Sequence, residues 1–405
     1  MSDVVLRGRV VTPDRIEDDG VVVIHDDTIS WVGAASTAAD ASATGSDLTD
    51  ALTAAIAETR PDPTRYLLPG LVDLHNHGGG GASFPDARTR EDALRAVAEH
   101  RRHGTTSVVA SLVTASPETL RERVALLAEL ADDGEIAGIH LEGPFLSAAR
   151  CGAQDPNLII PPDPQLTEDL LRLGRGHVVT MTLAPERDGV EDVLTLLADA
   201  RALPSWGHTD ARPDEARAAL AAGARLLAPS RRRATVTHLF NGMRPWHHRD
   251  PGPVGEFLAA AAGGEAVVEL IGDGTHLQPD VVREVHAIVG RQGAVLVTDA
   301  MAAAGMSDGA YRLGTQDVVV AGGVARLADG ESIAGGTAHL LDVVRTSVEA
   351  GVPLVDAVHM AATGPAAVLG DTSVGALEAG RRADVLITDE NLYPVRVIRH
   401  GKEVT

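Results

Sequence analysis

Histidine and carboxylate residues stand at several points of this sequence where an apolar run ends. The first case is His75-Asn76-His77, which closes the run from Leu67 to Leu74. In a β-strand, residues i and i+2 share one face, so the two imidazoles would project together and could reach one metal ion. Two partly buried histidines with ordinary hydrogen bonds are the alternative for this pair taken alone.

Further residues of the same types end later apolar runs, namely Glu142, His208, His238 and Asp299. Imidazole and carboxylate groups together are the ligands that a catalytic zinc or similar divalent ion takes, with one position left for water. Any one of them could be structural, but six at corresponding ends of successive strands are hard to explain by chance. The set predicts a divalent metal site.

Eight apolar stretches would have to position these residues. They span 71–77, 105–112, 136–142, 177–183, 203–208, 236–240, 267–271 and 294–298. Helical signatures separate most of them, and such alternation is typical of a parallel sheet. Eight repeats match a (β/α)8 TIM-like barrel, and a doubly wound open sheet is the competing topology. The barrel is favoured because barrel active sites lie at the C-terminal ends of the strands.

Helix boundaries can be predicted for three of the intervening segments. Thr89 caps one helix, Ser116-Pro117 opens a second, and Pro213 opens a third that Gly223 closes. After Asp299 we expect a glycine-rich segment, followed by helices over 337–350 and 354–360.

The two ends of the chain share a different pattern, of short strands with Gly and Asp between them. These strands are expected at 4–6, 21–24 and 28–32, and again at 383–387 and 395–399. We therefore expect residues 1–66 and 373–405 to form one small β-sandwich domain and residues 67–372 to form the barrel. Residues 36–64 read as a loop with one weak helix.

Composition excludes several function classes. A formal net charge of −22 argues against a nucleic-acid or anionic-membrane partner. The single cysteine, Cys151, excludes an intrachain disulfide, and no apolar run suggests a leader or a membrane span, so we expect a cytoplasmic protein. The only lysine, Lys402, is near the end of the chain, which argues against a Schiff-base, phosphate-loop or carboxylated bridging lysine.

Several longer motifs resemble the amidohydrolase superfamily and, within it, the family of N-acetylglucosamine-6-phosphate deacetylases. They are Pro69-Gly-Leu-Val-Asp-Leu-His-Asn-His-Gly78, His140-Leu-Glu-Gly-Pro-Phe145, Gly207-His-Thr-Asp-Ala211, Thr237-His-Leu-Phe-Asn-Gly-Met243, Asp273-Gly-Thr-His276 and Val297-Thr-Asp-Ala300. The first and last indicate only a metal-dependent hydrolase. The motifs that begin at His140 and Thr237 are much more specific to the deacetylases.

The resemblance implies that Glu142, His208 and His238 hold the principal metal, and that a second ion at His75 and His77 would share Glu142. One or two divalent ions per subunit are thus expected, with zinc as their identity. A bound divalent ion makes a water nucleophilic near neutral pH. Asp299 would accept the proton of that water and return it to the departing amine.

The resemblance also implies a phosphate site and a homodimer. Backbone N–H groups of Asn241 and Gly242, with Arg249 and His276, occupy the family's phosphate-recognition positions. A guanidinium binds phosphate as a bidentate fork. In the family the arginine comes from the neighbouring subunit, so Arg249 is expected to act across a dimer interface.

Gln154 departs from the family pattern. In relatives that lack the second metal, a histidine at this position polarises the substrate carbonyl, and a neutral amide is a weaker electrophile. We still expect Gln154 to bind substrate. Two explanations for the missing histidine stay open. Either a second metal at His75 and His77 polarises the carbonyl, or the substrate differs from the usual one.

The expected reaction is hydrolysis of N-acetylglucosamine 6-phosphate to glucosamine 6-phosphate and acetate. A deacetylase for another N-acyl amino sugar, such as the galactosamine epimer, would share every motif. A non-catalytic sugar-phosphate sensor would lack a metal ligand or the base, and none is missing here.

Overall fold

The computed structural model describes residues 3–38 and 50–405. Its largest sheet contains the eight predicted parallel strands. They are Leu71–Asn76, Thr105–Leu112, Gly138–Glu142, Val178–Leu183, Leu203–Trp206, Ala234–Val236, Ala266–Leu270 and Ala294–Leu296. Each strand pairs with the next one in sequence, and Asp299 N–H donates to the His75 carbonyl oxygen at 2.9 Å, which joins the last strand end to the first. This order confirms the (β/α)8 barrel and excludes a doubly wound sheet.

Helices follow the barrel strands and bury one apolar face against them. Their bounds are Arg90–Arg102, Pro117–Asp132, Pro164–Leu173, Val190–Asp199, Pro213–Leu227, Val254–Ala262, Pro279–Val289, Leu340–Glu349, Leu354–Val358 and Gly364–Leu369. A π-helical turn, His359–Thr363, joins the last two, and short 3-10 turns span Ala35–Thr37, Ala148–Arg150, Pro156–Leu158 and Ala228–Ser230.

Local sequence explains the helix starts. Thr89 accepts from the Asp92 backbone N–H in a capping box, and Ser116 caps the helix that begins at Pro117. The predicted end at Gly223 is wrong, because this helix continues to Leu227. Gly223 is instead a buried interior position where the helix packs closely over Trp206.

Both ends of the chain contribute to a seven-stranded sheet. Its strands are Val4–Val11, Ile16–His25, Thr28–Ala34, Tyr66–Pro69, Val385–Thr388, Pro394–Arg399 and Lys402–Glu403. Side chains from both chain ends, including Leu6, Ile24, Val385 and Ile398, share one core cluster, as expected for a small β-sandwich. The helix Asp50–Glu58 lies at its other face, where Ile56 packs with Val21 and Val23.

Part of the segment expected at 36–64 lies outside the described residues. The exact division into 1–66 with 373–405 and 67–372 stays a prediction. No helix within the described ranges is long and apolar enough to cross a membrane.

The glycine-rich segment after Asp299 contains a sheet that we did not predict. Strands Gly309–Leu313, Gln316–Ala321 and Val324–Leu327 form an antiparallel meander, and short strands Gly78–Gly79 and Ala82–Ser83 pair nearby. The meander alternates buried and exposed residues, with Val318 and Val320 on the buried face. It covers the C-terminal end of the barrel, where the predicted site residues lie.

Candidate active site

The predicted metal ligands meet in one buried group at the C-terminal end of the barrel. Glu142 is at its centre: one carboxylate oxygen, Oε1, lies 2.8 Å from His208 Nε2 and 2.9 Å from His238 Nε2. The other oxygen, Oε2, lies 3.2 Å from His77 Nε2 and 3.8 Å from His75 Nε2. A single carboxylate therefore bridges the two histidine pairs.

Asp299 completes the group from the end of the eighth strand. Its Oδ1 lies 3.3 Å from His75 Nε2 and 3.2 Å from His77 Nε2. Two sets of possible ligands result, His75 with His77 and Asp299, and Glu142 with His208 and His238. The structure thus brings together every residue that the sequence predicts as ligand or base.

Backbone conformation explains why three strands are shorter than predicted. His208, His238 and Asp299 have φ angles of 46°, 29° and 47°, in or near the left-handed region that side-chain-bearing residues seldom adopt. A strand cannot continue through such a residue, so each strand ends two or three residues before the functional side chain. The turn then aims that side chain over the barrel mouth. Conformations of this kind cluster at active sites.

The outer nitrogens of three of these histidines are held by acceptors. His77 Nδ1 donates to the Ser111 carbonyl oxygen at 3.1 Å, and His208 Nδ1 donates to the Arg150 carbonyl oxygen at 2.8 Å. His75 Nδ1 lies 3.1 Å from a carboxylate oxygen of Glu269. An imidazole that donates from Nδ1 presents a lone pair at Nε2 when it is neutral, so the Nε2 atoms of all three face the site and can take up a proton or a metal ion.

The Nε2 atoms of each histidine pair lie so close together that a cation between them would stabilise the arrangement. His75 Nε2 is 3.0 Å from His77 Nε2, and His208 Nε2 is 3.1 Å from His238 Nε2. Two acceptor nitrogens at that distance repel each other unless a proton or a metal ion lies between them. The donor set of four imidazoles and two carboxylates fits a divalent ion of the zinc type.

Charges in the group reinforce one another. Burial by itself would raise the pKa of Glu142, but hydrogen bonds with His208 and His238 and the charge of His208 hold it well below its ordinary value. Burial would lower the pKa of His75, yet the negative charge of Asp299 and contacts with Glu142 and Glu269 raise it well above its ordinary value. The site therefore keeps its carboxylates ionised and attracts positive charge.

A cavity of about 370 Å³ opens over this group. Its lining includes the predicted residues Gln154, Asn241, Gly242 and His276, together with residues of the unpredicted meander and the segment after it, such as Arg326. A larger cavity of about 970 Å³ lies beside the meander and contains none of the predicted site residues.

Gln154 is buried, and both ends of its amide are engaged. Its Nε2 donates to Glu142 Oε2 at 2.7 Å, and its Oε1 accepts from the Thr114 backbone N–H at 2.7 Å. The side chain therefore fixes the bridging carboxylate. His276 is also held, with Nδ1 2.8 Å from Asp273 Oδ2.

Arg249 is the one predicted residue that belongs neither to the buried group nor to the lining of the cavity among the described residues. It lies in an exposed loop, where its backbone N–H donates to His247 Nδ1, and it does not line the cavity. This position is compatible with the expected role across a dimer interface.

Two buried residues of the site were missed by sequence analysis. Glu269 contacts His75, and its only sequence signal is a charge inside the apolar strand Ala266–Leu270. The His140 ring packs edge-on against His75 at 4.5 Å between centroids, and it hydrogen-bonds Ser111 Oγ and Thr182 Oγ1. His140 lies in a motif that we quoted without assigning it a role.

A third group of possible ligands, Glu99, His103 and His339, lies outside the cavity. The two imidazole rings stack at 3.6 Å with planes 13° apart, so their in-plane lone pairs do not converge on one ion. Arg102 also donates to Glu99. This group is an ion-paired contact between the first barrel helix and the start of the helix Leu340–Glu349.

Comparison with known proteins agrees with this geometry. The profile of the amidohydrolase family matches residues 66–404. The chain belongs to the amidohydrolase family. It is 33% identical to the N-acetylglucosamine-6-phosphate deacetylase of Caenorhabditis elegans, over 84% of this chain and 82% of the relative. It is also 34% identical to the N-acetylgalactosamine-6-phosphate deacetylase of Escherichia coli O157:H7, over 83% of this chain and 87% of the relative.

Solved structures place this amidohydrolase beside the same deacetylases. A mutant N-acetyl-D-glucosamine-6-phosphate deacetylase from Mycobacterium smegmatis, in complex with N-acetyl-D-glucosamine-6-phosphate, is 40% identical, with a TM-score of 0.87 and all of both chains covered. The enzyme from Thermotoga maritima is 27% identical, with a TM-score of 0.81 and 99% of each chain covered. The predicted family is therefore confirmed.

The turn that follows His77 in this amidohydrolase depends on a buried neutral histidine. His100 Nε2 donates to the Gly78 carbonyl oxygen at 2.8 Å, and burial lowers the pKa of His100 to about 4. In the unfolded chain a histidine titrates near 6.5, so below that pH the unfolded state binds the extra proton first. His100 therefore contributes stability at neutral pH that is lost as the pH falls from 6.5 toward 4.

We expect the free energy of unfolding to fall by about 2 kcal/mol more in the wild type than in His100→Gln between pH 7 and pH 5. Glutamine keeps a donor for Gly78 but does not titrate. Denaturant unfolding of both proteins at the two pH values measures the difference. Parallel pH profiles would show that His100 is protonated in the folded protein at pH 5.

Proposed function

We propose that this amidohydrolase is a metal-dependent deacetylase that hydrolyses the amide of N-acetylglucosamine 6-phosphate, giving glucosamine 6-phosphate and acetate. The observation that carries the proposal is the convergence of buried Nε2 lone pairs around the shared carboxylate of Glu142. The amidohydrolase fold and the amino-sugar-phosphate deacetylases among its relatives support the substrate class.

Glu142, His208 and His238 would hold one divalent ion, and His75 and His77 would hold a second that shares Glu142. Ions bound there would supply Lewis acidity and make a water nucleophilic at neutral pH. Two ions are supported by the separate engagement of the two Glu142 oxygens, and zinc is supported by the nitrogen-rich donor set.

Asp299 would act first as general base and then as general acid. Its carboxylate lies at the mouth of the group, where it can take a proton from the water that attacks the acetyl carbonyl. When the carbon–nitrogen bond breaks, Asp299 returns that proton to the amine nitrogen. One water is consumed, and acetate and the free amino sugar are released.

Gln154 would act by holding the bridging carboxylate of Glu142, to which its amide already donates a hydrogen bond. Its contacts with Glu142 and Thr114 support the explanation in which a second ion, and not this amide, polarises the substrate carbonyl. The substrate would still contact Gln154 at the cavity wall.

Asn241, Gly242 and His276 would receive the phosphate at the wall of the cavity. They line it together, and glycine permits a close backbone approach. The exposed position of Arg249 supports a homodimer in which this arginine completes the partner's phosphate site.

Steady-state kinetics on matched substrates test this proposal. We expect kcat/KM to fall at least roughly 100-fold when the phosphate is removed from N-acetylglucosamine 6-phosphate, because hydrogen bonds to a charged group contribute about 1.5–3 kcal/mol each. Arg249→Ala should lower kcat/KM for the phosphorylated substrate and leave kcat/KM for the unphosphorylated sugar unchanged. Arg312→Ala is the control, because Arg312 lies on the meander outside this cavity. Equal kcat/KM for the phosphorylated and unphosphorylated sugars would refute the phosphate site. A preference for the galactosamine epimer would show that this epimer is the substrate.

A further inference from the structure

Glu269 is a charged side chain inside the barrel. It lies in the seventh barrel strand, Ala266–Leu270, and is 1% exposed. Its Oε2 is 3.1 Å from His75 Nδ1 and 3.2 Å from the His238 backbone nitrogen. One buried oxygen therefore contacts a residue from each of the two ligand sets.

The support of His75 differs from that of the other histidines in the group. His77 and His208 donate from Nδ1 to backbone carbonyl oxygens, and His238 Nδ1 has no hydrogen-bond partner among the described residues. Only His75, of these four, has a carboxylate behind its ring. A carboxylate at that position fixes the tautomer and makes the imidazole a stronger donor to a metal ion.

The contact with His238 is of another kind. Glu269 accepts from the backbone N–H of His238, not from its ring, and His238 Nε2 is oriented independently toward Glu142 Oε1. Loss of the carboxylate would thus remove the support of His75 directly, while the set of Glu142, His208 and His238 keeps its side-chain contacts.

We infer that Glu269 is the positioning residue that makes His75 a metal ligand, and that it thereby decides whether the second ion is bound. The inference rests on the proposed function, because it assumes that the group holds divalent ions. The inference adds to that function that the ion at His75, His77 and Asp299 can be lost while the ion at Glu142, His208 and His238 stays bound.

Metal stoichiometry and affinity of the purified full chain test this inference. We compare wild type with Glu269→Leu and Glu269→Gln by elemental analysis and by Zn²⁺ titration against a competing chelator. Glu265→Gln, an exposed residue just before the same strand, is the matched control. Wild type and the control should bind two ions per subunit.

Glu269→Leu should bind one ion per subunit, with unchanged affinity at the remaining site. Glu269→Gln can still accept a hydrogen bond from His75, so it should bind two ions, one of them roughly 10- to 100-fold more weakly. If Glu269→Leu does not fold, as judged by circular dichroism, the titration of Glu269→Gln decides alone.

Two results would overturn the inference. One is two ions with wild-type affinity in both variants, and the other is loss of both ions from a folded Glu269→Leu protein. Failure of the wild type to bind any divalent ion would instead refute the proposed function.

Discussion

Asp299→Asn is expected to lower kcat by roughly 10²- to 10⁴-fold, the usual contribution of a positioned general acid–base group. Asparagine has nearly the same shape and can still fill the space beside His75 and His77, where Asp299 Oδ1 lies 3.3 and 3.2 Å from the two Nε2 atoms. It cannot accept a proton from water or return one to the amine. Substrate should still bind, since Asn241, Gly242 and His276 are unchanged.

Kinetic constants, metal content and substrate binding must be measured together for Asp299→Asn. The expected pattern is a large loss in kcat with a KM within a few-fold of wild type and unchanged metal content. Asp329→Asn, in an exposed turn, controls for the chemical change. Near-normal turnover would remove Asp299 from the mechanism, and a loss of one ion would show that it acts mainly as a ligand.

Glu142→Gln is expected to abolish activity by removing both ions. The Glu142 carboxylate is buried and offers Oε1 to His208 and His238 and Oε2 to His77. No other carboxylate among the described residues forms ion pairs with the Nε2 atoms of both histidine pairs. A neutral amide in its place leaves the converging imidazoles without the shared negative charge that offsets a divalent ion.

Elemental analysis after dialysis should find less than one ion per subunit in Glu142→Gln, and kcat/KM should fall below the detection limit of the assay. The exposed Glu129→Gln, on a barrel helix, should keep two ions and full activity. An active Glu142→Gln protein with two tightly bound ions would show that the histidines and Asp299 suffice.

Sequence periodicity was enough to predict the barrel and the histidine and carboxylate residues that converge at its C-terminal end, because strand alternation and strand-end residues are local signals. The boundaries of the strands before His208, His238 and Asp299 were missed. A left-handed turn at a histidine or aspartate has no local signature, and it is maintained by the surrounding contacts of the folded site.

Residues that act from a distance were harder to predict. Glu269 supports a histidine 194 positions away, so their relation appears only when strands one and seven enclose the same interior. The meander over 309–327 was predicted only as part of a glycine-rich segment, because the turns at Gly314 and Gly322-Gly323 are more conspicuous in sequence than the short alternating strands between them.

Arg249 was predicted to contact phosphate in a second subunit. Its exposed position in the single chain, outside the cavity, is the arrangement that such a contact requires. Gln154 is the opposite case: its departure from the family pattern was visible in sequence, but its hydrogen bond with Glu142 forms only when the loop that carries it folds over the strand end.

The seam between the first and last barrel strands has a consequence for biosynthesis. It is closed by Asp299 N–H to the His75 carbonyl oxygen, by His77 N–H to the Ala300 carbonyl oxygen, and by Thr298, which donates to Asp73 across 225 positions of sequence. The proposed metal ligands His75 and His77 at the first strand and the proposed base Asp299 after the last strand are adjacent only after this seam forms. A nascent chain on the ribosome therefore cannot assemble the complete group until the eighth strand has emerged, and under the proposed function an ion at His75 and His77 would be bound only at the end of synthesis.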